Sequence, residues 1–278
     1  MNPYLLVGII LLGILVLIFS AYLFLVAPGR RFRERMKSYL GMKFAHRGLH
    51  SEQIPENSLL SFESAIKNGY AIEIDVRQTK DGELVVFHDP NLALAGNRDI
   101  GVEDLTLDEL REYRLSDTDE RIPTLKETLQ LVDGRATLLV EIKEDVGKYN
   151  VTEGTAKMLR EYKGDFLVQS FNPLALARFR RLYPDVPLGL LSMTYSNEPI
   201  YRSFKYKIVE RMLLNFMSRP DFISYNHTDY KNRHFRRVKK LFNPPTFCWT
   251  VRTAEEEENA LKRGFDSIIF EKYLSPKE

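Results

Sequence analysis

Between Phe44 and Pro90, two histidines (His46, His88), one arginine (Arg47) and two carboxylates (Glu73, Asp75) stand out because they sit at the ends of apolar runs. The stretch reads Ala45-His46-Arg47-Gly48, Pro55-Glu56-Asn57-Ser58, Glu73-Ile74-Asp75, Thr79-Lys80-Asp81-Gly82 and Val85-Val86-Phe87-His88-Asp89-Pro90. Side chains alternate along an extended strand, so Ala71, Glu73 and Asp75 share one face. Two carboxylates side by side repel each other unless a cation sits between them. A third carboxylate, Glu141, ends a later apolar run in Glu141-Ile142-Lys143. Three such oxygen donors suit a hard divalent cation, Mg²⁺ or Ca²⁺, better than zinc. Taken singly, each also reads as a surface-facing strand residue or as the partner of a nearby lysine or arginine. His46 is followed by Arg-Gly and His88 by Asp-Pro, positions that suit a general base and a general acid. Arg47 offers a planar fork for phosphate oxygens and Lys143 a point charge, the alternative for both being a salt bridge to the carboxylates. Assembled, these parts describe hydrolysis of a phosphodiester. A metal and two cations neutralise the nonbridging oxygens, one histidine activates the nucleophile and the other protonates the leaving alkoxide.

The elements that must position these groups alternate along the chain. Strands are expected at 43–45, 70–76, 83–87, 137–142, 166–170, 188–192, 222–225, 246–251 and 267–270. Helices are expected from the Asn57-Ser58 cap to Asn68-Gly69, and at 106–114, 124–132, 152–162, 174–182, 200–217, 232–241 and 254–263. The turn at Lys80-Asp81-Gly82 is too short for a parallel crossover, so either the strands on its two sides form a hairpin or the first strand is shorter than 70–76. Residues 91–122 read as a polar insertion beside the site. Strands and helices alternating at this length predict α/β architecture, a TIM-type (β/α)8 barrel with a small insertion. In such barrels chemistry gathers at the C-terminal strand ends, where His46, Glu141, Lys143, Gln169 and Trp249 fall.

With 278 residues the chain has room for one large domain, and a formal net charge of +2 implies no nucleic-acid partner. The lone cysteine, Cys248, excludes an intrachain disulfide. No charged residue occurs from Asn2 to Gly29, and Tyr4–Val26 is almost wholly apolar. As a helix this run spans a hydrocarbon core about 30 Å thick. A cleaved signal peptide would need a basic start and a shorter apolar run. The run is therefore expected to be a transmembrane helix at 3–27. Arg30, Arg31, Arg33, Arg35 and Lys37 follow it, opposed only by Glu34, and form a basic juxtamembrane linker over 28–42. Positive residues beside a span stay on the cytoplasmic side, which predicts a single-pass protein with its catalytic domain, 43–276, inside the cell.

The ordered motifs His46-Arg47-Gly48, Pro55-Glu56-Asn57-Ser58, Glu73-x-Asp75, Thr79-Lys80-Asp81-Gly82, His88-Asp89, Ile122-Pro123-Thr124-Leu125, Glu141-Ile142-Lys143, Gln169-Ser170-Phe171 and Trp249-Thr250-Val251 resemble those of the glycerophosphodiester phosphodiesterase family. The resemblance covers about residues 43–275. It implies a TIM-type barrel with an insertion at about 90–122, and metal ligation by Glu73, Asp75 and Glu141. It also implies acid–base roles for His46 and His88 and phosphate contacts from Arg47 and Lys143, while Gln169 and Trp249, at strand ends, are expected to line a substrate pocket. The implied reaction cleaves glycerophosphodiesters to glycerol 3-phosphate and an alcohol. Some membrane-bound relatives act instead on lysophospholipids as a phospholipase D, which would make membrane lipid a partner.

Two departures stand out. Arg252 replaces the asparagine that commonly follows Trp-Thr-Val, and Phe270-Glu271-Lys272-Tyr273 replaces the usual Thr-Asp-x-Pro. Both are expected on the far side of the mouth from the metal motifs, with Arg252 either facing an anionic headgroup or lying outside the pocket. Tyr195–Met217 interleaves aromatic residues with Arg202, Lys205, Lys207 and Arg211. It reads as an ordinary outer helix with a solvated basic face or as a helix resting on the membrane. His227, His234 and Glu255–Glu258 are expected at the surface. From another functional class, a catalytically silent tethered binding module would have lost a histidine or a metal carboxylate, and none is missing.

Overall fold

Runs of β-branched, aliphatic and aromatic residues build the inner wall of the molecule. A computed structural model of the chain describes residues 2–92, 96, 99–144, 150–197, 201 and 203–276. Nine strands form one sheet: β1 Lys43–Ala45, β2 Ala71–Gln78, β3 Leu84–Val86, β4 Leu138–Ile142, β5 Phe166–Ser170, β6 Leu188–Ser192, β7 Phe222–Asn226, β8 Thr246–Val251 and β9 Ser267–Phe270. Eight of them pair in parallel, and β1 pairs with both β2 and β9, so the sheet closes into a barrel. The ninth, β3, lies antiparallel on β2, as the short turn predicts. Outer helices are α3 Leu59–Lys67, α5 Leu125–Val132, α6 Val151–Glu161, α7 Pro173–Leu182, α8 Phe204–Glu210, α9 Asn215–Ser218, α10 Arg233–Phe242 and α11 Ala254–Lys262. Two shorter or earlier sets complete the list: α1 Pro3–Val26 with α2 Arg33–Met36, and α4 Leu107–Leu110 in the insertion.

Helix starts follow side-chain caps. Ser58 accepts from Ser61 N at the head of α3, Thr124 from Glu127 N at the head of α5, and Asn172 and Asn232 cap α7 and α10. The expected helix at 106–114 is shortened to α4. The chain turns after Leu110 so that Leu115 and Ile122 can join Leu110, Val102 and Phe87 in a small core of the insertion. The long helix expected over 200–217 is likewise two pieces, α8 and α9. Between them Met212 takes a left-handed φ of 56° and is buried. Ile200 and Arg202 of that segment lie outside the described residues.

Period two along the strands separates floor from mouth. At the N-terminal end of the barrel Phe44, Leu139, Leu167, Phe222, Phe247 and Ile269 face inward as one buried cluster. Phe247 stacks between Phe44 and Phe222, with ring centroids 5.5 and 4.5 Å away. Gly189 on β6 makes room for this layer, since a Cβ there would fall 2.1 Å from the Phe222 ring. Two residues further along several strands the inward positions turn polar: His46, Glu73, Glu141, Gln169, Ser224, Trp249 and Glu271. Residues 28–42, expected as a linker, also run beneath the floor. Met36 and Tyr39 are buried against it, and Arg35 and Tyr39 both bond Asp165.

Candidate active site

Strands β1, β2, β4, β5 and β8 carry the site's polar groups to the mouth. Register places Asp75 beside Glu141 and Glu141 beside Gln169. Glu73, Asp75 and Glu141 are all buried, and each offers an oxygen within 4.8 Å of the others. The predicted trio therefore meets in space and forms a group able to hold a metal ion.

Cations frame the trio. Lys143 Nζ lies 2.6 Å from Glu141 Oε1 and 3.0 Å from Asp75 Oδ1. The second contact lacks hydrogen-bond angles, so Asp75 Oδ1 has no hydrogen-bond donor. Asn57 Nδ2 donates to Asp75 Oδ2 at 2.9 Å, and the Arg47 backbone N–H donates to Glu73 Oε2 at 3.1 Å. The Arg47 side chain donates to Glu56 at 2.5 Å, while its Nε is 3.5 Å from Asp75 and bonded to nothing. Arg47 has a φ of 55° and Gly48 one of 81°, so the chain reverses tightly at the end of β1. A Cβ on Gly48 would meet Ser61 Oγ at 2.2 Å, so the glycine is a steric requirement of the turn that follows Arg47.

These surroundings pull the acids apart. Burial pushes the Glu73 carboxyl well above the usual carboxylate range, and the neighbouring charges of Asp75 and Glu141 push it further. Burial also raises Glu141, against the pull of Lys143. Asp75 goes the other way: burial opposes its charge, but Lys143, His88 and Arg47 hold it well below the usual range. An acceptor site on Asp75 Oδ1 without a hydrogen-bond donor, and a Glu73 with no direct ion pair among the described residues, fit a divalent ion bound by oxygens.

Both histidines are held by their Nδ1 atoms. His88 Nδ1 is 2.7 Å from Asp89 Oδ1, and His46 Nδ1 is 2.6 Å from Glu271 Oε2. Burial keeps each imidazole below its ordinary range, opposed at His46 by Glu271 and at His88 by Asp75. Gln169 is buried with Oε1 unpartnered, and Trp249 has an unpartnered Nε1 and packs edge-on against Phe171 at 5.5 Å.

Glu271 corrects the expectation that the two departures lie far from the metal motifs. Barrel closure sets β9 beside β1, so the residue after β9 reaches His46. Arg252 Nε donates to the other oxygen of Glu271 at 2.8 Å, which ties both departures into one chain ending on His46. Sequence reading missed this role because the two residues are 225 positions apart. The signal was a carboxylate at the end of the last strand. Two surface expectations also change. His227 is buried, and so is Glu257, which bonds Lys43, Tyr273 and Ser275.

Comparison with known proteins follows the same line. The family model described as the glycerophosphoryl diester phosphodiesterase family matches residues 46–273. The chain belongs to this family. It is a phosphoric diester hydrolase of the glycerophosphodiester phosphodiesterase kind. A glycerophosphodiester phosphodiesterase of Caldanaerobacter subterraneus subsp. tengcongensis is 30% identical over 236 residues, covering 81% of this chain and 91% of the relative. Among solved structures, an Oleispira antarctica phosphodiesterase in complex with the product sn-glycerol-3-phosphate superposes with a TM-score of 0.69 at 22% identity. The match covers 84% of this chain and 94% of that one. The glycerophosphodiester phosphodiesterase of Thermotoga maritima gives 0.64 at 27% identity, over 83% and 94% of the two chains.

Proposed function

We propose that this enzyme hydrolyses glycerophosphodiesters to glycerol 3-phosphate and an alcohol at a membrane surface, with Mg²⁺ or Ca²⁺ held by Glu73, Asp75 and Glu141. The observation that carries this reading is the meeting of three buried carboxylate oxygens within 4.8 Å, ringed by two carboxylate-held histidines and two cations. Bound there, the ion would supply Lewis-acid neutralisation of a phosphate oxygen. The chain's own residues do the rest. Arg47 and Lys143 hold the nonbridging oxygens. One histidine takes the proton of the attacking hydroxyl as that oxygen bonds to phosphorus, the bond from phosphorus to the leaving oxygen breaks, and the other histidine, protonated, gives its proton to the leaving oxygen. With Nδ1 engaged by a carboxylate, Nε2 of each ring is left for the substrate. The lowered affinity of both rings for protons favours the neutral form that a base needs. Gln169 and Trp249 line the substrate pocket with their unpartnered polar atoms.

In this reading residues 3–27 form a transmembrane anchor, 28–42 a basic juxtamembrane segment, and 43–276 the catalytic barrel on the cytoplasmic side. The 24-residue apolar α1 supports the anchor. Exposed Phe204 on α8, flanked by Lys205 and Lys207, favours a second substrate class, the lysophospholipids, which share the glycerophosphodiester group. The test is product analysis on the detergent-solubilised protein with Mg²⁺ or Ca²⁺. Glycerophosphocholine, glycerophosphoethanolamine and their lysophospholipid counterparts are offered in parallel, with His46→Ala as control. Glycerol 3-phosphate from the soluble diesters, lost in the control, is the expected result. Lysophosphatidic acid from the lipids alone would establish the second class. No turnover of either would overturn the proposal.

A further inference from the structure

The anchor helix does not leave the barrel through a free tether. Its last turn is built into the protein: Asn215 Nδ2 donates to Val26 O at 2.8 Å, and Arg219 donates to Phe24 O and Ala27 O, each at 2.9 Å. Phe24 packs on Phe216 with ring centroids 5.8 Å apart. Gly29 N donates to Pro220 O, and a Cβ at Gly29 would fall 2.4 Å from Arg219 O, so no side chain fits there. One helical turn earlier, Tyr22 receives Arg237 of α10, which donates to its hydroxyl at 3.4 Å and covers its ring at 5.6 Å. The level at which α1 enters a bilayer therefore sets the level of α10.

Helix α10 presents an unusual outer face. Arg233, Arg236, Arg237 and Lys240, at positions i, i+3, i+4 and i+7, are all exposed, while Phe235 and Val238 face the barrel. The helix contains no acidic residue, and among the described residues none of the four is paired with a carboxylate. These side chains, with Arg263 and Lys239, border a groove of about 710 Å³. The next helix, α11, carries Glu255–Glu258 instead, so basic charge is not general to the barrel wall. At ~1.5 Å rise per residue, Arg233 and Lys240 lie within about 6 Å of the Arg237 level along the helix axis. That is inside the Debye length of ~8 Å at physiological salt.

We infer that the Arg233–Lys240 face of α10 lies against the headgroups of an anionic bilayer, and that the docked end of α1 holds the barrel in this one orientation. The inference rests on the reading of α1 as a membrane anchor. Tyr22 then sits where aromatic side chains collect at a membrane surface, and the basic stripe lies at the same height. Charge complementarity selects the occupant. Each basic side chain near an anionic surface biases the equilibrium about fivefold, so three together bias it roughly a hundredfold.

The test uses the full chain in lipid nanodiscs. Cys248 is buried, so a fluorophore on Leu241→Cys (α10) or Gln130→Cys (α5, on the opposite side of the barrel) reports its own site. A headgroup nitroxide lipid serves as quencher, in discs of phosphatidylcholine with or without phosphatidylglycerol. We expect several-fold stronger quenching at 241 than at 130 in the anionic discs. The excess should be lost in 1 M salt and in Arg236→Glu/Arg237→Glu/Lys240→Glu. The salt arm keeps the test decisive if that variant folds poorly. Equal quenching at the two sites, or an excess indifferent to lipid charge and salt, would overturn the inference while α1 still resists carbonate extraction from membranes. Release by carbonate would overturn the anchor reading itself, and this inference with it.

Discussion

The two ends of the barrel are built on opposite terms. At the floor, Phe247 stacks between Phe44 and Phe222 beside Leu139, Leu167 and Ile269, and Met36 and Tyr39 join the same buried layer. Each such side chain buried contributes about 1.5–3 kcal/mol. At the mouth, only two residues further along the same strands, three carboxylates, a lysine and an arginine are packed together, and Asp75, Asn57, Arg47, Gln169 and Trp249 each keep an unpartnered polar atom. Burying charges and unmatched hydrogen-bonding groups costs stability. The floor offsets that cost, and the mouth keeps open valences for a ligand. Residues at the mouth should therefore move activity without lowering stability, and residues at the floor the reverse.

The sharpest break of this contrast is at His46. His46→Ala should lower kcat by about 10²–10⁴-fold and leave the urea midpoint nearly unchanged. A large loss of stability instead would make His46 a core residue. At the other end, Met36→Ala should cost about 2–5 kcal/mol of folding stability. Its kcat/KM, measured well below the melting temperature, should match the parent. A matching fall in activity would erase the distinction between the ends.

Glu271 tests whether the His46 contact positions a working group. Glu271→Gln should lower kcat by about 10–100-fold, the usual range for loss of a residue that orients another functional group. The pH profile separates positioning from simple packing. Burial places His46 below 6.5, and Glu271 opposes that shift by favouring the protonated ring. Removing the carboxylate should therefore move the acid limb of the kcat profile to still lower pH. An unmoved limb would reduce Glu271 to a structural contact. The smallest expected effect is a gain. Glu73→Gln removes one of three crowded buried carboxylates, so in EDTA it should stabilise the protein by about 0.5–2 kcal/mol while abolishing turnover. A loss of stability in EDTA would mean that Lys143 and Arg47 already balance the cluster without a metal.

Much of this was readable from one dimension. Local rules place Ser58 and Thr124 at helix starts, alternate Glu73 and Asp75 onto one strand face, and make the Lys80-Gly82 turn too short for a parallel crossover. The eight-fold alternation of strands and helices was legible for the same reason: periodicity is a property of neighbours in sequence. The trio and both histidines could be named because Glu73 and Asp75 share one face of β2, Glu141 lies near the end of β4, and His46 and His88 follow β1 and β3; a barrel gathers such positions at one mouth.

What the sequence could not reveal depends on which strands become neighbours. Closure of β9 onto β1 brings Glu271 to His46 and Arg252 to Glu271, a contact that no local pattern encodes. The long helix expected over 200–217 breaks at Met212, which is buried with a left-handed φ, a tertiary arrangement that helical propensity alone does not reveal. A run of arginines reads as a linker until Met36 and Tyr39 are seen filling the floor, since the two buried side chains are hidden among charges. The docking of α1 through Asn215, Arg219 and Arg237 is of the same kind. Residue chemistry was set by the sequence alone. The pairing of distant residues was decided by the closed barrel, because only closure brings the first and last strands within bonding distance.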